Sequence, residues 1–330
     1  SMTSIMQHRT VLLPNGNKMN LSASIGISWY PQDSIYFDFL KKYADFAMYQ
    51  VKKSTKGNLA EFDKALYEDE KHDRQMHLEF YQLIEKEQLT YHFQPILSAK
   101  NGEIIAYEVL MRSQLATLKN PEMILRIARE ENKLEDVERI CIFKSTETFD
   151  QLRKNKLVKE DALLFINSIA SVSLNDEDRE RFHRYFSHIQ SQIVVEVTEE
   201  ENMSEEALIR KRETKGFSGM FALDDYGSGY NIEINLLNLS PKYIKIDLTI
   251  VRNIDKDFDK QQLVSNIVEY AHQRDAYIIA EGIETKEELL KVLELGVDYL
   301  QGYYLSYPQL NPQEVSNESI KTIENYWKKR

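Results

Sequence analysis

The hydrophobic and polar positions of this chain change period repeatedly between residues 89 and 305. Eight apolar runs have the length and composition of strands, and most intervals between them show the 3.6-residue period of helices. The strand candidates are Thr90–Ile96, Ile104–Met111, Ala162–Asn167, Ile193–Glu199, Phe221–Asp225, Tyr243–Asp247, Tyr277–Glu281 and Tyr299–Leu305. The helical intervals are 121–132, 135–155, 176–189, 204–215, 260–274 and 286–295. This alternation predicts an α/β fold, a modified (β/α)8 TIM-like barrel.

The start of the predicted barrel departs from a regular alternation. Only Lys100-Asn101-Gly102 and a few neighbours separate the first two strands, and Asn-Gly is typical of a tight hairpin. We therefore expect these two strands to be antiparallel.

The residues before the barrel form a different pattern. Thr10–Leu13 and Met19–Trp29 alternate like the arms of a hairpin around Pro14–Asn17, and an apolar helical stripe covers 36–53. Residues 63–88 are charged with sparse apolar positions, which predicts a linking helix. The expected organisation is a small α+β segment at 1–62, the linking helix at 63–88 and the barrel at 89–330, with a helix at 320–330.

Composition limits the class of protein. The 330 residues carry a formal net charge of -11 without a long basic block, which argues against binding to long nucleic acids. Cys141 is the sole cysteine, and no run is long and apolar enough to span a membrane. We expect a cytoplasmic location. Ser1-Met2 is typical of a cloning remnant, so we expect a natural protein that extends upstream, where a sensory domain or a membrane anchor would lie.

Two adjacent carboxylates end the fifth predicted strand. Asp224 and Asp225 follow the apolar run Phe221–Leu223 and precede Gly227. Neighbouring strand residues point to opposite faces, but a twist or bulge at the strand end can aim both at one site. Two divalent ions would satisfy both carboxylates. Taken alone, however, this motif is better explained as turn chemistry, with one Asp capping the next helix and the other solvated.

The other predicted strands also end in polar side chains, which would converge at the carboxyl face of a barrel. Together with Asp224 and Asp225 of the fifth strand, the set comprises Glu108, Asn167, Glu196, Glu199, Lys245, Asp247, Glu281 and Gln301. An ion pair or cap explains any single one, but buried polar groups need partners, and a set of this size favours a shared site. Oxygen ligands of this kind suit Mg²⁺ or Mn²⁺.

These residues carry a resemblance to the EAL-domain cyclic di-GMP phosphodiesterases over roughly residues 89–310. The motifs that match, in chain order, are Phe93-Gln94-Pro95-Ile96, Glu108-Val109-Leu110-Met111-Arg112, Asn167, Glu196-Val197-Thr198-Glu199, Asp224-Asp225-Tyr226-Gly227-Ser228-Gly229-Tyr230, Lys245-Ile246-Asp247, Ala280-Glu281-Gly282-Ile283-Glu284 and Gln301-Gly302-Tyr303. The resemblance implies hydrolysis of cyclic di-GMP to linear pGpG with two Mg²⁺ or Mn²⁺ ions, in bacterial second-messenger signalling.

The resemblance also implies roles for particular residues. The first ion would be held by Glu108, Asn167, Glu196 and Asp224, and the second by Asp224, Asp225 and Glu281. Lys245 would orient the attacking water, and Glu281 is the alternative general base. The substrate would contact Gln94, Arg112, Glu284 and Gln301. Glu199 would brace the loop after Asp225, whose position couples to dimerisation, so a homodimer through the barrel is expected.

The chain departs from the family pattern in two places. Val109 replaces the alanine of the motif that names the family, and Asn231-Ile232-Glu233-Ile234 replaces a usual small polar stretch. The altered loop keeps open a second hypothesis, a catalytically weak receptor that binds cyclic di-GMP. A scaffold that has lost the ligand is a third, which the complete set of site residues disfavours.

A second resemblance lies in the first segment. Leu21–Ser28, Ala44–Tyr49, Lys52-Lys53 and Gly57-Asn58 are similar to the C-terminal part of a GGDEF (diguanylate cyclase) domain. The Gly-Gly-Asp-Glu-Phe motif itself is absent. We therefore expect residues 1–62 to be a structural remnant without cyclase activity.

Overall fold

The structure, a computed structural model, describes residues 9–21, 23–54, 58–169, 171–198, 220–227, 236, 239–311 and 315–330. The chain divides into two compact units, Ser1–Leu78 and Glu79–Arg330. None of the helices in these described ranges is long and apolar enough to cross a membrane. The domain limits predicted at 62/63 and 88/89 remain predictions.

The first unit contains two small sheets and a helix. Strands β1 (Arg9–Leu12) and β2 (Lys18–Leu21) form the predicted hairpin. Strand β3 (Ile25–Ile27) instead pairs in parallel with β4 (Leu59–Glu61), and helix α1 (Phe37–Ser54) lies between them in the chain. Helix α2 (Lys64–Lys86) follows.

The prediction of one hairpin arm over Met19–Trp29 is therefore wrong. The physical reason is the contact between β3 and α1. A Cβ atom on Gly26 would lie 1.9 Å from the Ala44 carbonyl oxygen, so β3 packs against the helix at a distance that only glycine permits. This packing separates β3 from β2, and alternation along the sequence does not reveal it.

The second unit is a closed barrel of eight strands, in the spatial order β10-β11-β12-β5-β6-β7-β8-β9. Its strands are β5 (Leu89–Ser98), β6 (Ile104–Ser113), β7 (Leu163–Asn167), β8 (Ile193–Thr198), β9 (Met220–Tyr226), β10 (Tyr243–Ile246), β11 (Tyr277–Ala280) and β12 (Tyr299–Leu300). The sequence predicted all eight, and the α/β barrel is confirmed. Strand β5 is antiparallel to both β6 and β12, so the irregular start is also present.

Helices connect most of these strands. They are α3 (Pro121–Glu130), α4 (Leu134–Lys154), α5 (Asp176–Phe186), α6 (Leu248–Val251), α7 (Phe258–His272), α8 (Lys286–Glu294) and α9 (Asn317–Lys328). The predicted helix at 204–215 lies outside the described residues. The last strand ends earlier than predicted, because the chain turns at Gly302 and the Leu305 N–H donates to the Gly302 carbonyl, 3.1 Å away.

An apolar layer inside the barrel determines where the polar strand ends point. Its buried members include Ala106, Phe165, Val194, Ala222, Tyr243 and Ile279. Each lies two residues before one of the predicted site residues Glu108, Asn167, Glu196, Asp224, Lys245 and Glu281. Because side chains on one face of a strand recur every second residue, these polar groups lie on the inward face, one step beyond the apolar layer.

Candidate active site

A buried lysine lies at the centre of the polar layer. The Lys245 side chain is 1% exposed. Its Nζ atom lies near one oxygen of each of four carboxylates: 2.6 Å from Glu196 and from Glu281, 3.0 Å from Asp224 and 3.4 Å from Glu108. One ammonium therefore faces four acidic groups from four different strands or strand ends. When these groups are ionised, the site carries excess negative charge.

The pKa values of the site reflect burial and crowding. Burial alone would lower the pKa of Lys245, but the surrounding carboxylates outweigh it and raise that pKa well above its usual value. Burial raises the pKa of Glu196 and of Glu281 well above the usual range. Burial, and then the charge of Asp224, raise the pKa of Asp225 to about 6. Ionisation of these buried carboxylates is therefore unfavourable, and a bound cation would reduce that free-energy cost.

A bulge brings Asp224 and Asp225 to the same site. Along β9 and β10, Leu223 pairs with Ile244 but Tyr226 pairs with Ile246, so β9 contains one extra residue there. Asp225 has φ +58°, a left-handed conformation that Asp tolerates better than most residues. The Asp225 N–H donates to Asp224 Oδ1, 3.1 Å away. Without the bulge, the side chains of Asp224 and Asp225 would point to opposite faces of β9. The extra residue allows both side chains to reach one site.

The carboxylates form two groups that could each hold a metal ion. Glu108, Glu196 and Asp224 offer oxygens within 4.8 Å of one another, and so do Asp224, Asp225 and Glu281. Asp224 belongs to both. Glu196 Oε1 lies 2.6 Å from Lys245 Nζ, whereas Oε2 is buried without a hydrogen-bond partner among the described residues. A buried carboxylate oxygen without a partner fits a cation.

Side-chain amides hold Glu108 in place. Asn167 Nδ2 donates to Glu108 Oε1 at 3.1 Å, and Gln301 Nε2 donates to Glu108 Oε2 at 2.6 Å. Gln301 Nε2 also lies 3.3 Å from Gln94 Oε1, while Gln94 Nε2 donates to the Ser306 carbonyl. Gln301 was predicted to contact the substrate. The structure adds a different role for Gln301, because its amide orients the carboxylate of Glu108, a member of the first group.

Replacement of Gln301 with leucine is expected to weaken metal binding at the first group. The variant removes the amide donor to Glu108 Oε2 and leaves only the Lys245 ammonium near that oxygen, at 3.4 Å. Loss of such an outer partner typically lowers metal affinity or activity by about 10–100-fold. Titration calorimetry with Mn²⁺ measures the change. Gln261→Leu is the matched control, because it removes the hydrogen bond from a Gln side chain on α7 to the Ile254 carbonyl, outside the site. Equal Mn²⁺ affinity of the two variants would contradict this role.

Gly282 shapes the chain directly after Glu281. It has φ +64°, and a Cβ atom there would lie 2.3 Å from the Leu248 Cβ. Gly282→Ala therefore adds a clash to backbone strain, and we expect it to lower the free energy of unfolding by about 1–3 kcal/mol. Gly296→Ala is the control, because Gly296 has φ +84° with its nearest neighbour at 3.8 Å. Denaturant unfolding should show the larger loss for Gly282→Ala, and equal losses would refute the clash.

Two cavities adjoin at Leu110. The first, here called the carboxylate cavity, has a volume of about 250 Å³ and is lined by Gln94, Glu108, Asp224, Asp225, Lys245, Glu281, Glu284, Gln301 and Tyr303, among others. The second, the apolar cavity, has a volume of about 290 Å³ and lies beside Arg112 and Asn167. Its apolar lining includes Met111, Leu125 and Val137.

The predicted site residues thus occupy two neighbouring places. The carboxylate cavity is lined by Lys245, Gln94, Glu284, Gln301 and the predicted metal ligands Glu108, Asp224, Asp225 and Glu281. Of the other two predicted ligands, Glu196 contacts Lys245 and Asn167 donates to Glu108. Arg112 lies at the apolar cavity, where its guanidinium donates to the Met111 carbonyl. Glu284 pairs with Arg252 at 2.9 Å. Glu199 and the loop 231–234 lie outside the described residues. Sequence reasoning missed Gly282 and Tyr303, although each lies within a motif it used.

The chain has clear relatives among known proteins. A profile of the EAL domain matches residues 77–308. The chain is 28% identical over 305 residues to the bifunctional diguanylate cyclase/cyclic di-GMP phosphodiesterase MucR of Pseudomonas aeruginosa, covering 88% of this chain and 43% of MucR. It is 27% identical to the cyclic di-GMP phosphodiesterase NbdA of the same organism, covering 89% of this chain and 38% of NbdA.

Solved structures agree with this similarity. The structure described as the PaMucR phosphodiesterase in complex with c-di-GMP superimposes with a TM-score of 0.62 at 25% identity, covering 71% of this chain and 97% of that one. The chain spans less than half the length of the two curated relatives. The profile match includes the strands of the barrel and every described residue of the carboxylate cavity. This chain therefore belongs to the EAL domain family.

Proposed function

We propose that this chain hydrolyses cyclic di-GMP to linear pGpG in bacterial second-messenger signalling. The observation that carries the proposal is the group of carboxylates around Lys245 at the carboxyl end of the barrel. It is supported by the names of the relatives, which include a cyclic di-GMP phosphodiesterase, and by the complex of the MucR domain with c-di-GMP.

The proposal includes two divalent ions, Mg²⁺ or Mn²⁺. Glu108, Glu196 and Asp224, with the amide oxygen of Asn167, would hold the first, and Asp224, Asp225 and Glu281 the second. The shared Asp224 and the unpartnered Oε2 of Glu196 support this assignment. Bound ions of this kind lower the pKa of a water molecule and neutralise charge that develops on phosphate oxygens.

The protein's own side chains then position the reacting groups. Lys245 would donate a hydrogen bond to the attacking water and hold it for in-line attack on phosphorus, while Glu281, 2.6 Å from Lys245, would accept the water's proton. Attack forms one P–O bond and breaks the P–O bond to a ribose 3′ oxygen, which leaves as the proton is delivered to it. The product keeps one intact diester and gains a terminal phosphate.

The two cavities suit a ligand with two bases. The carboxylate cavity contains amide and carboxylate groups that can pair with a guanine edge, such as Gln94 and Glu284. The apolar cavity offers an apolar surface beside Arg112, whose guanidinium can contact a phosphate. A mononucleotide, with a single base, would occupy only one of the two cavities. The receptor alternative depends on residues 231–234, outside the described ranges, and no observation on the described part of the chain favours it.

Two further proposals concern the rest of the protein. We propose that residues 1–62 are a remnant of a GGDEF domain. The match to bifunctional MucR covers 88% of this chain, more than the stretch from residue 77 to the end, so the similarity continues into the first unit. Dimerisation through the barrel is likewise a proposal, which light scattering of the purified protein would test.

A product assay tests the proposed function. The protein is mixed with cyclic di-GMP and Mn²⁺, and the nucleotides are separated by chromatography. We expect pGpG from the unmodified protein, and none after addition of EDTA or with the Asp224→Asn variant. Intact cyclic di-GMP in every sample would reject the phosphodiesterase. Calorimetry in Ca²⁺ would then distinguish a receptor, which binds the ligand, from a scaffold, which does not.

A further inference from the structure

Two exposed tyrosines are stacked at the mouth of the carboxylate cavity. The ring centroids of Tyr303 and Tyr307 lie 4.6 Å apart with an interplanar angle of 30°. Tyr303 is 52% exposed and Tyr307 61% exposed, and Tyr303 also lines the cavity. Single exposed aromatic residues are common on proteins, but a stacked pair beside a ligand cavity is a different feature.

The turn that carries the pair is anchored at its first end. A Cβ atom on Gly302 would lie 2.2 Å from the Ile283 nitrogen, so the two backbones are in close contact. The Ile283 N–H donates to the Gln301 carbonyl at 3.1 Å, and the Tyr304 N–H donates to the Ile283 carbonyl at 3.0 Å. Tyr303 is therefore fixed relative to the segment that follows Glu281.

The turn is anchored at its second end as well. Phe93 and Gln309 exchange two backbone hydrogen bonds, at 2.8 and 3.1 Å. Gln94, the next residue on β5, donates from Nε2 to the Ser306 carbonyl at 3.2 Å. Within the turn, the Ser306 N–H donates to the Gly302 carbonyl at 3.0 Å. The two rings therefore project from a segment whose backbone is held on both sides.

We infer that Tyr303 and Tyr307 form a stacking platform for one purine base of the substrate, with Tyr303 in contact with the base and Tyr307 supporting Tyr303 from behind. This inference rests on the proposed function. A purine presents a large, uncharged aromatic face, so it can approach the acidic cavity without adding negative charge there. Gln94 and Glu284 line the same cavity and can pair with the edge of a base stacked on Tyr303.

Stacking on an ordered ring has a small entropic cost, because an anchored turn has already lost its conformational freedom before the ligand binds. The ring, and not the phenol hydroxyl, supplies this interaction. The platform therefore determines affinity for the base rather than the chemical step.

Steady-state kinetics with cyclic di-GMP and Mn²⁺ test the platform. For Tyr303→Ala we expect KM to rise about tenfold, in line with the value of a stacked base, and to rise by more than kcat falls. Tyr307→Ala should raise KM by less, because it removes only the supporting ring. Tyr303→Phe and Tyr307→Phe should restore the KM of the unmodified protein. Circular dichroism checks that each variant is folded.

Tyr185→Ala is the matched control, since Tyr185 is 58% exposed on α5 and lines neither cavity. If the unmodified protein hydrolyses cyclic di-GMP and Tyr303→Ala has the same KM as Tyr185→Ala, the platform is wrong and the proposed function stands. A KM for Tyr303→Phe as high as that for Tyr303→Ala would also overturn it. If the unmodified protein neither hydrolyses cyclic di-GMP nor binds it in Ca²⁺, the proposed function and the platform both fall.

Discussion

Replacement of Lys245 with methionine is expected to lower the free energy of unfolding of the metal-free protein by about 3–5 kcal/mol, the usual cost of removing one partner of a buried ion pair. Methionine keeps much of the side-chain volume but removes the one ammonium that contacts Glu108, Glu196, Asp224 and Glu281. These carboxylates would then repel one another in a buried site. Hydrolysis should be lost too, because Lys245 would no longer hold the attacking water.

Divalent ions should rescue the Lys245→Met variant. A ligand that binds only the folded state stabilises it, and the variant offers the same carboxylates without a competing ammonium. Mn²⁺ is therefore expected to raise the melting temperature of the variant by more than that of the unmodified protein, although activity stays low.

Denaturant unfolding with and without EDTA measures these effects. Lys144→Met is the matched control, because Lys144 is 38% exposed and pairs with Glu87 at 3.2 Å on the surface. Such exposed pairs contribute about 0–1 kcal/mol, so the control should be nearly as stable as the unmodified protein. If Lys245→Met and Lys144→Met unfold at the same denaturant concentration, the central role of Lys245 is wrong.

Replacement of Asp224 with asparagine is expected to separate activity from stability. Asp224 belongs to both carboxylate groups. Loss of a residue that only orients a metal ligand lowers activity by up to about 100-fold, and loss of a shared ligand should lower the rate of hydrolysis further. The metal-free variant should nevertheless be more stable than the unmodified protein at neutral pH.

The sign of the stability change follows from the pKa of Asp224. Burial, reinforced by Glu108, raises this pKa above its usual value even though Lys245 acts in the opposite direction. The folded state therefore binds a proton more readily than the unfolded state does. Above the raised pKa, the ionised carboxylate disfavours folding, and this penalty disappears as the pH falls through that pKa. Asparagine removes the charge and thus the penalty.

Glu288→Gln should change stability in the opposite direction. Burial would raise the pKa of Glu288, but the N–H groups of Asn253, Glu284 and Thr285 outweigh it and lower the pKa below its usual value. Its charged form therefore stabilises the fold at neutral pH. Calorimetric melting in EDTA should show a higher melting temperature for Asp224→Asn and a lower one for Glu288→Gln. A lower melting temperature for Asp224→Asn would refute the penalty assigned to the ionised Asp224.

The period of two along the strands explains how far the site could be predicted. Ala106 and Glu108, or Ala222 and Asp224, lie on the same strand face, so an apolar core residue indicates the direction of the polar residue two positions later. The same argument does not apply to Asp225, which shares the site only because β9 contains a bulge. Nor does it reveal that Gln301 donates to Glu108, since that contact joins residues 193 positions apart.

The alternation of apolar and polar residues, and the turn residues between the runs, are features of the chain by itself. They determined the eight barrel strands, the antiparallel start and the polar groups at the strand ends. These are local properties, and a strand or turn depends mainly on its own residues and near neighbours. Only the tertiary structure decided that one ammonium lies among four carboxylates, that β3 leaves its hairpin to pack on α1, and that Tyr303 and Tyr307 stack on an anchored turn. Each of these depends on contacts between separate segments, including the contact of β5 with the turn that carries Tyr303 and Tyr307. Closure of the barrel or packing of a helix sets such contacts, and no local pattern encodes them.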